Sequence, residues 1–207
     1  DIVSIVVPDF EHYKPVCQAA EAGKNILVEK PLATDLEEAQ KMEQVCKKNR
    51  VKIMVDFCNR WNPAFVNVKN AIGEGELGRL LHCSMILNDT IFVPTVMLKW
   101  AELTKVIHFI GSHAIDLLCW LMDDKVESVY SVSNSLVLKE RGINTQDYFQ
   151  TLFKFKMGGS ALLENSWILP LTSANLYDFK AEFVGTKGAI NVNISHNRCV
   201  EKYTEES

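Results

Sequence analysis

Lys30 stands where a short apolar run, Ile26-Leu27-Val28, gives way to Glu29-Lys30-Pro31. Two charges and an imide at the end of a strand lie at its carboxyl edge, where open α/β sheets bind ligands. Pro31 fixes its own φ and restricts the residue before it, so the Lys30 backbone is restrained. An amine held there can hydrogen-bond a substrate hydroxyl. It can also favour a developing alkoxide during oxidation, or donate towards a carbonyl during reduction. A solvated lysine following a buried strand has the same pattern, and spacing alone leaves both readings open.

His113 and Asp116 are the second candidates. At i,i+3 on a helix they share a face, so the carboxylate can orient the imidazole and the imidazole can move a proton near neutral pH. The same spacing serves as an ordinary helix stabiliser. His108, five residues earlier, falls on another part of the helix and is a weaker candidate. Arg60, Trp61 and Asn62 form a third group. Arg60 can fork onto a carboxylate or close over a bound ring, while Trp61 reads as an anchor filling a domain seam. Lys99, Trp100, Trp167 and Tyr177 are candidates for a substrate wall, although aromatic residues on a sheet are more often core.

The elements that must position these residues follow from periodicity. Residues 2–7 are β-branched and nearly all apolar, as in a parallel strand covered on both faces. Pro8 and Asp9 stop it. A helix over residues 12–22 ends at Gly23, and residues 25–28 form the next strand. Thr34 and Glu37 match a capping box for a helix running to about Asn49, and residues 51–57 form a third strand. Strand, helix, strand, helix, strand with short links implies right-handed crossovers and a parallel sheet.

After Phe57 the character changes. Pro63 suits the first turn of a helix to Ile72. Gly73, Gly75 and Gly78 mark a loop, and residues 80–87 a strand. Residues 88–104 lack periodicity, as a ligand loop or lid does. Residues 106–122 form a helix with Ile110, Ala114, Leu117, Leu118 and Leu121 as its apolar stripe. The remainder reads as antiparallel sheet. It comprises one or two strands over residues 126–137, a strand carrying Phe149, Thr151, Phe153 and Phe155 on one face and Tyr148 and Leu152 on the other, a hairpin at residues 157–160, and a second hairpin at residues 185–188. The predicted fold class is α/β: a partial Rossmann βαβαβ unit over residues 1–58, then an α+β domain with a large, mostly antiparallel sheet over residues 59–207, expected to be incomplete at its C-terminus.

Composition narrows the partners. The 207 residues are 47% hydrophobic with a formal net charge of −4, enough for a substantial core. Lys and Arg form no basic stripe, which argues against nucleic acid. No apolar run approaches the roughly 18 residues of a membrane span. Cys17, Cys46, Cys58, Cys83, Cys119 and Cys199 are widely spaced with no C-x-x-C pair, so reduced thiols in a cytoplasmic protein are expected, with no metal site. Residue 1 already lies against a strand-like run, and residues 201–207 bring no closing element. The chain is expected to be part of a larger protein, cut inside a domain at its start.

The stretches N-I-L-V-E-K-P-L (residues 25–32), Asn59-Arg60-Trp61-Asn62-Pro63 and G-S-H-A-I-D-L-L (residues 111–118), with Pro8 and His12 upstream, resemble the Gfo/Idh/MocA family of NAD(P)-dependent oxidoreductases along almost the whole chain. The resemblance implies an N-terminal Rossmann domain for NAD or NADP, a sugar- or polyol-like substrate, and oligomerisation through the C-terminal sheet. Lys30 would touch both nicotinamide ribose and substrate hydroxyl, and Pro31 would follow a cis peptide bond. His113 would be the proton acceptor or a substrate ligand. Pro8, His12, Glu29, Lys30, Pro31 and Arg60 would line the dinucleotide. Trp100, Asp116 and Trp167 would join Lys30 and His113 at the substrate.

Two departures qualify the match. No G-x-G-x-x-G loop occurs, so this chain alone is expected to lack the phosphate cradle and to be inactive. Phe109 also stands four residues before His113, where many members carry an aspartate. An inactive member that senses dinucleotide or serves assembly is the alternative implied.

Overall fold

The computed structural model describes residues 1–195 and 200–204, which form two compact units, Asp1–Phe57 and Cys58–Ser207. In the first, strands β1 (Ile2–Ile5), β2 (Asn25–Val28) and β3 (Ile53–Val55) pair in parallel in that order. Helices α1 (Tyr13–Glu21) and α2 (Leu36–Lys48) provide the crossovers. Val16, Ala19 and Ala20 of α1 and Met42 and Cys46 of α2 bury against Ile5, Ile26 and Val28 as one cluster. Both helices therefore share one core with the sheet. Residues 2–7, expected to be covered on both faces, are not so within this unit: Ile5 is buried, whereas Ile2 and Val6 are exposed.

In the second unit seven strands run in the order β10-β9-β8-β4-β7-β6-β5. They are β4 (Leu80–Thr90), β5 (Val126–Asn134), β6 (Tyr148–Phe155), β7 (Ser160–Leu169), β8 (Tyr177–Gly185), β9 (Gly188–Asn193) and β10 (Val200–Thr204). Every neighbouring pair is antiparallel except β4 and β7. Helices α3 (Pro63–Gly73) and α4 (Ser112–Met122) supply Phe65, Val68, Ala114, Leu117, Leu118 and Leu121 to the core. The sheet answers with Met85, Phe153, Phe155, Leu163, Phe179 and Phe183. The phenylalanine face of β6 is thus the inner one, while Leu152 points outward, half exposed, beside the equally exposed Leu162 of β7.

Several sequence expectations shift. The cap of α2 is Asp35, not Thr34. Asp35 is extended and its carboxylate accepts from Glu38 N at 3.0 Å, so the helix starts one residue later than a Thr34–Glu37 box requires. β4 continues to Thr90, and the stretch beyond it is a π-helical turn, Val93–Met97, and a 3-10 turn, Ala101–Leu103. The helix expected from residue 106 opens as a π-helical turn, Ile107–Gly111, before α4. The run expected as strand to Val137 ends at Asn134, and Val137–Glu140 is a short helix, α5. Trp61 is 71% exposed. No disulfide joins Cys17, Cys46, Cys58, Cys83 and Cys119, of which Cys46 and Cys83 are buried and Cys58 is exposed; Cys199 lies outside the described residues. Among the described residues no helix is long and apolar enough to cross a membrane.

Candidate functional site

The first unit brings its candidates to the carboxyl edge of the parallel sheet. β1 ends at Ile5 and β2 at Val28, and their following loops carry Pro8 and Glu29-Lys30-Pro31. Glu29 N still bonds Ile5 O at 3.0 Å, which registers the second loop on the first strand. The Lys30–Pro31 peptide is cis. Lys30 is half-buried, and its amide donates to the Glu29 carboxylate at 3.2 Å. Pro8 opens a 3-10 turn, Asp9–Glu11, with Glu11 N donating to Pro8 O at 2.8 Å.

His12 departs from expectation. It is 1% exposed, and both ring nitrogens face backbone carbonyls: Nδ1 lies 2.9 Å from Pro31 O and 3.3 Å from Leu32 O, and Nε2 lies 3.1 Å from Val7 O. The ring expected among the cofactor contacts is thus enclosed by backbone of the two loops that follow β1 and β2.

In the second unit α4 carries His113, half-buried in its first turn, and Asp116 one turn on. Asp116 is held by Arg60: Nε donates to Oδ2 at 2.7 Å and Nη2 to Oδ1 at 2.5 Å. The Asp116 side chain is only 9% exposed. Both its oxygens accept from this fork, and its burial leaves little surface for the substrate contact expected of it. The hydrogen bond to Asp116 raises the Arg60 pKa, partly offset by desolvation. The guanidinium also lies 5.9 Å from the Trp120 ring, and Lys69 Nζ reaches the Trp120 carbonyl at 2.7 Å. Two cations from the preceding segment thus clamp α4, one in its middle and one at a carbonyl of its last turn. Asn62 caps α3 through Ala64 N at 3.0 Å, and Pro63 follows it at the first helical position.

The aromatic candidates separate. Phe109 lies between Trp100 and Trp167, with ring centroids 6.0 and 5.9 Å away. Trp100 and Phe109 are half-buried, whereas Trp167 has no exposed surface and belongs to the core. Trp167 is therefore corrected from substrate wall to the buried backing of Phe109. Lys99 is exposed, and Tyr177 is 43% exposed at the start of β8.

Asn165 and Asp147 carry no local sequence signal for their roles. Asn165 is fully buried, donates to Leu87 O at 3.0 Å and packs over Gly111, where an added Cβ would come within 2.8 Å of its Oδ1. Asp147, 2% exposed, accepts from the amides of Leu136, Val137 and Leu138 at 2.7, 2.8 and 2.9 Å. Both satisfy backbone from a distance in sequence, which no local pattern announces.

Comparison with known proteins agrees in both units. Residues 1–57 match the family model described as an oxidoreductase family with an NAD-binding Rossmann fold, and residues 65–191 match the GFO/IDH/MocA C-terminal domain. Among curated proteins, a scyllo-inositol 2-dehydrogenase (NAD(+)) of Bacillus subtilis is 30% identical over 193 residues, covering 92% of this chain and 54% of that protein. Levoglucosan dehydrogenase of Pseudarthrobacter phenanthrenivorans is 33% identical over 129 residues, covering 59% of this chain and 33% of that protein. Among solved structures, a putative oxidoreductase from Thermotoga maritima superposes with a TM-score of 0.88 at 25% identity, over 100% of this chain and 63% of that one. A levoglucosan dehydrogenase in complex with NADH and levoglucosan gives 0.87 at 26% identity, over 100% of this chain and 58% of that one. The chain spans about half the length of several curated relatives that it matches.

Proposed function

The chain belongs to the Gfo/Idh/MocA family of oxidoreductases, and from that membership we propose that the intact protein transfers a hydride between NAD or NADP and a hydroxyl-bearing carbon of a cyclic polyol or sugar. The observation that carries the reading is Glu29-Lys30-Pro31 at the carboxyl edge of a parallel sheet, half-buried and registered on β1 through Glu29 N. An amine beside a carboxylate at that edge suits the hydroxyls of a ribose and of a polyol, so the donor set fits a nicotinamide dinucleotide. That cofactor, when bound, supplies the hydride chemistry.

The residues of this chain do the rest. Lys30 Nζ donates to the reacting hydroxyl oxygen and stabilises negative charge as it develops there. His113 accepts the hydroxyl proton in oxidation and returns it in reduction. Phe109 stands where many members carry an aspartate, so no carboxylate shares the proton at that position. With Trp100 it offers an apolar wall to the C–H face of a ring. The substrate class is supported by the relatives named for scyllo-inositol and levoglucosan. Pro8, Glu29 and Pro31 form the dinucleotide's surroundings in this reading, with Arg60 bracing α4.

Turnover of scyllo-inositol, myo-inositol and levoglucosan with NAD and NADP tests the proposal in the full-length protein. Lys30→Ala is expected to lower kcat at least 100-fold while the protein stays folded. Near-normal turnover in that variant would remove Lys30 from the mechanism.

A second reading is a family member that uses this fold for assembly. The outward sheet face favours it, since Tyr130, Leu152 and Leu162 lie on adjacent strands there, each half exposed or more. Assembly through that face is compatible with the dehydrogenase reading.

A further inference from the structure

His12 is the one buried histidine of the first unit, and every polar contact of its ring described here is to backbone. Those carbonyls come from two loops. Val7 follows β1, and Pro31 and Leu32 follow β2 directly after Lys30. We propose that His12 is a positioning residue for Lys30: its imidazole bridges the β1 and β2 loops at the ligand edge of the sheet and so sets where the lysine backbone lies. The inference rests on the catalytic role proposed for Lys30.

Three features carry it. Carbonyl oxygens only accept, so a ring nitrogen donates to its carbonyl only where it carries an N–H; an imidazolium donates to both loops, and a neutral ring donates to one and packs against the other. The two nitrogens point to opposite sides of a flat, rigid ring, so one side chain spans both loops. An Asn or Gln amide carries both its N–H donors on one nitrogen, so it lacks the span of an imidazole whose two nitrogens diverge. Lastly, the contact is next to the reactive residue: Pro31 O, 2.9 Å from Nδ1, belongs to the residue that follows Lys30. The side chain is shut from solvent, so its role lies in placing its neighbours rather than touching ligand. Displacing a catalytic group by about 1 Å costs about 100-fold in rate.

The test is a double-mutant cycle in the full-length protein with His12→Phe, Lys30→Ala and the two combined, assayed on the best-used polyol among scyllo-inositol, myo-inositol and levoglucosan. His12→Phe is expected to lower kcat tenfold or more while the dissociation constant for the dinucleotide stays within threefold. His12→Gln is expected to fall between Phe and wild type. In the Lys30→Ala background His12→Phe should bring no further loss, as expected of residues acting through one group. Hydrogen exchange gives a reading independent of substrate: the amides of residues 30–34 should exchange at least tenfold faster in His12→Phe while β2 stays protected.

Wild-type kcat and unchanged exchange in His12→Phe would overturn the inference, as would an equal further loss in the Lys30→Ala background. If Lys30→Ala is dead while His12→Phe is normal, only the strut fails. If Lys30→Ala turns over normally, the catalytic reading fails and takes the strut with it. Should the Phe variant not fold, His12→Gln carries the same cycle.

Discussion

Arg60 grips both carboxylate oxygens of Asp116 across 56 positions of sequence. The fork joins the 3-10 turn Cys58–Trp61 to the middle of α4, three residues after His113. Planar bidentate geometry makes the contact directional as well as attractive. It therefore fixes the rotation of the helix that carries the proposed proton acceptor.

Removing one partner leaves the mostly buried Asp116 carboxylate without its fork. Arg60→Met is expected to cost about 1–3 kcal/mol, at the low end because Arg60 is itself partly exposed. Urea unfolding measures it, and Arg60→Met/Asp116→Leu should recover part of the loss because no buried charge remains. A double variant no more stable than Arg60→Met would contradict this account of the pair.

Asp147 predicts a larger effect. Its carboxylate serves three consecutive amides at the start of α5, and at 2% exposure no water replaces it readily. Asp147→Ala is expected to destabilise by about 2–4 kcal/mol. Asp147→Asn, which keeps one acceptor oxygen, should lose less. Equal losses in the two variants would show that packing rather than capping dominates.

Gly111 ends the π-helical turn ahead of α4. A methyl there meets Ile107 Cδ1 at 2.7 Å and Asn165 Oδ1 at 2.8 Å, the first on a partly buried side chain and the second on a fully buried one. Gly111→Ala is therefore expected to destabilise by about 1–3 kcal/mol by overpacking. The Gly111→Ala/Asn165→Ala pair should be less than additive. Thermal unfolding of the three variants decides this.

Burial raises the thiol pKa of Cys83 above its ordinary value of 9.0, and burial likewise raises those of Cys17, Cys46 and Cys119. The folded state thus disfavours the thiolate. The stabilising contribution is complete below the unfolded thiol's pKa of about 9 and is lost as pH rises above it. Alkylation at pH 8 followed by peptide mapping should label exposed Cys58 first and Cys83 only on unfolding. Early labelling of Cys83 would contradict its burial.

Much of the fold was legible in local pattern. The alternation of apolar strands and capped helices over residues 1–57 gave the parallel sheet, and the two glycine-bearing turns gave the β6–β7 and β8–β9 hairpins. Glu29-Lys30-Pro31 could be read because a strand followed by charge and imide is itself a local signal. Trp167 was misplaced because an aromatic residue in a strand reads alike on a pocket wall and in a core, and only the register of β7 separates them. The pairing of Asp116 with Arg60 was not legible because spacing exposes neighbours on one helix and hides a partner on another element. His12 looked like a ligand contact because sequence does not reveal that both ring nitrogens are enclosed by carbonyls. The cap of α2 moved by one residue because Asp35 and Thr34 are both competent caps, and the extended backbone at Asp35 decided between them.

The most direct test of the proposed hydride transfer follows a label. The full-length protein is incubated with NAD or NADP and with scyllo-inositol, myo-inositol or levoglucosan deuterated at its carbinol carbons, and the dinucleotide is then examined by proton NMR. The account predicts deuterium at C4 of the nicotinamide with the wild-type protein and at least 100-fold less with Lys30→Ala. A reduced dinucleotide that carries no label, or equal labelling by the two proteins, would contradict it.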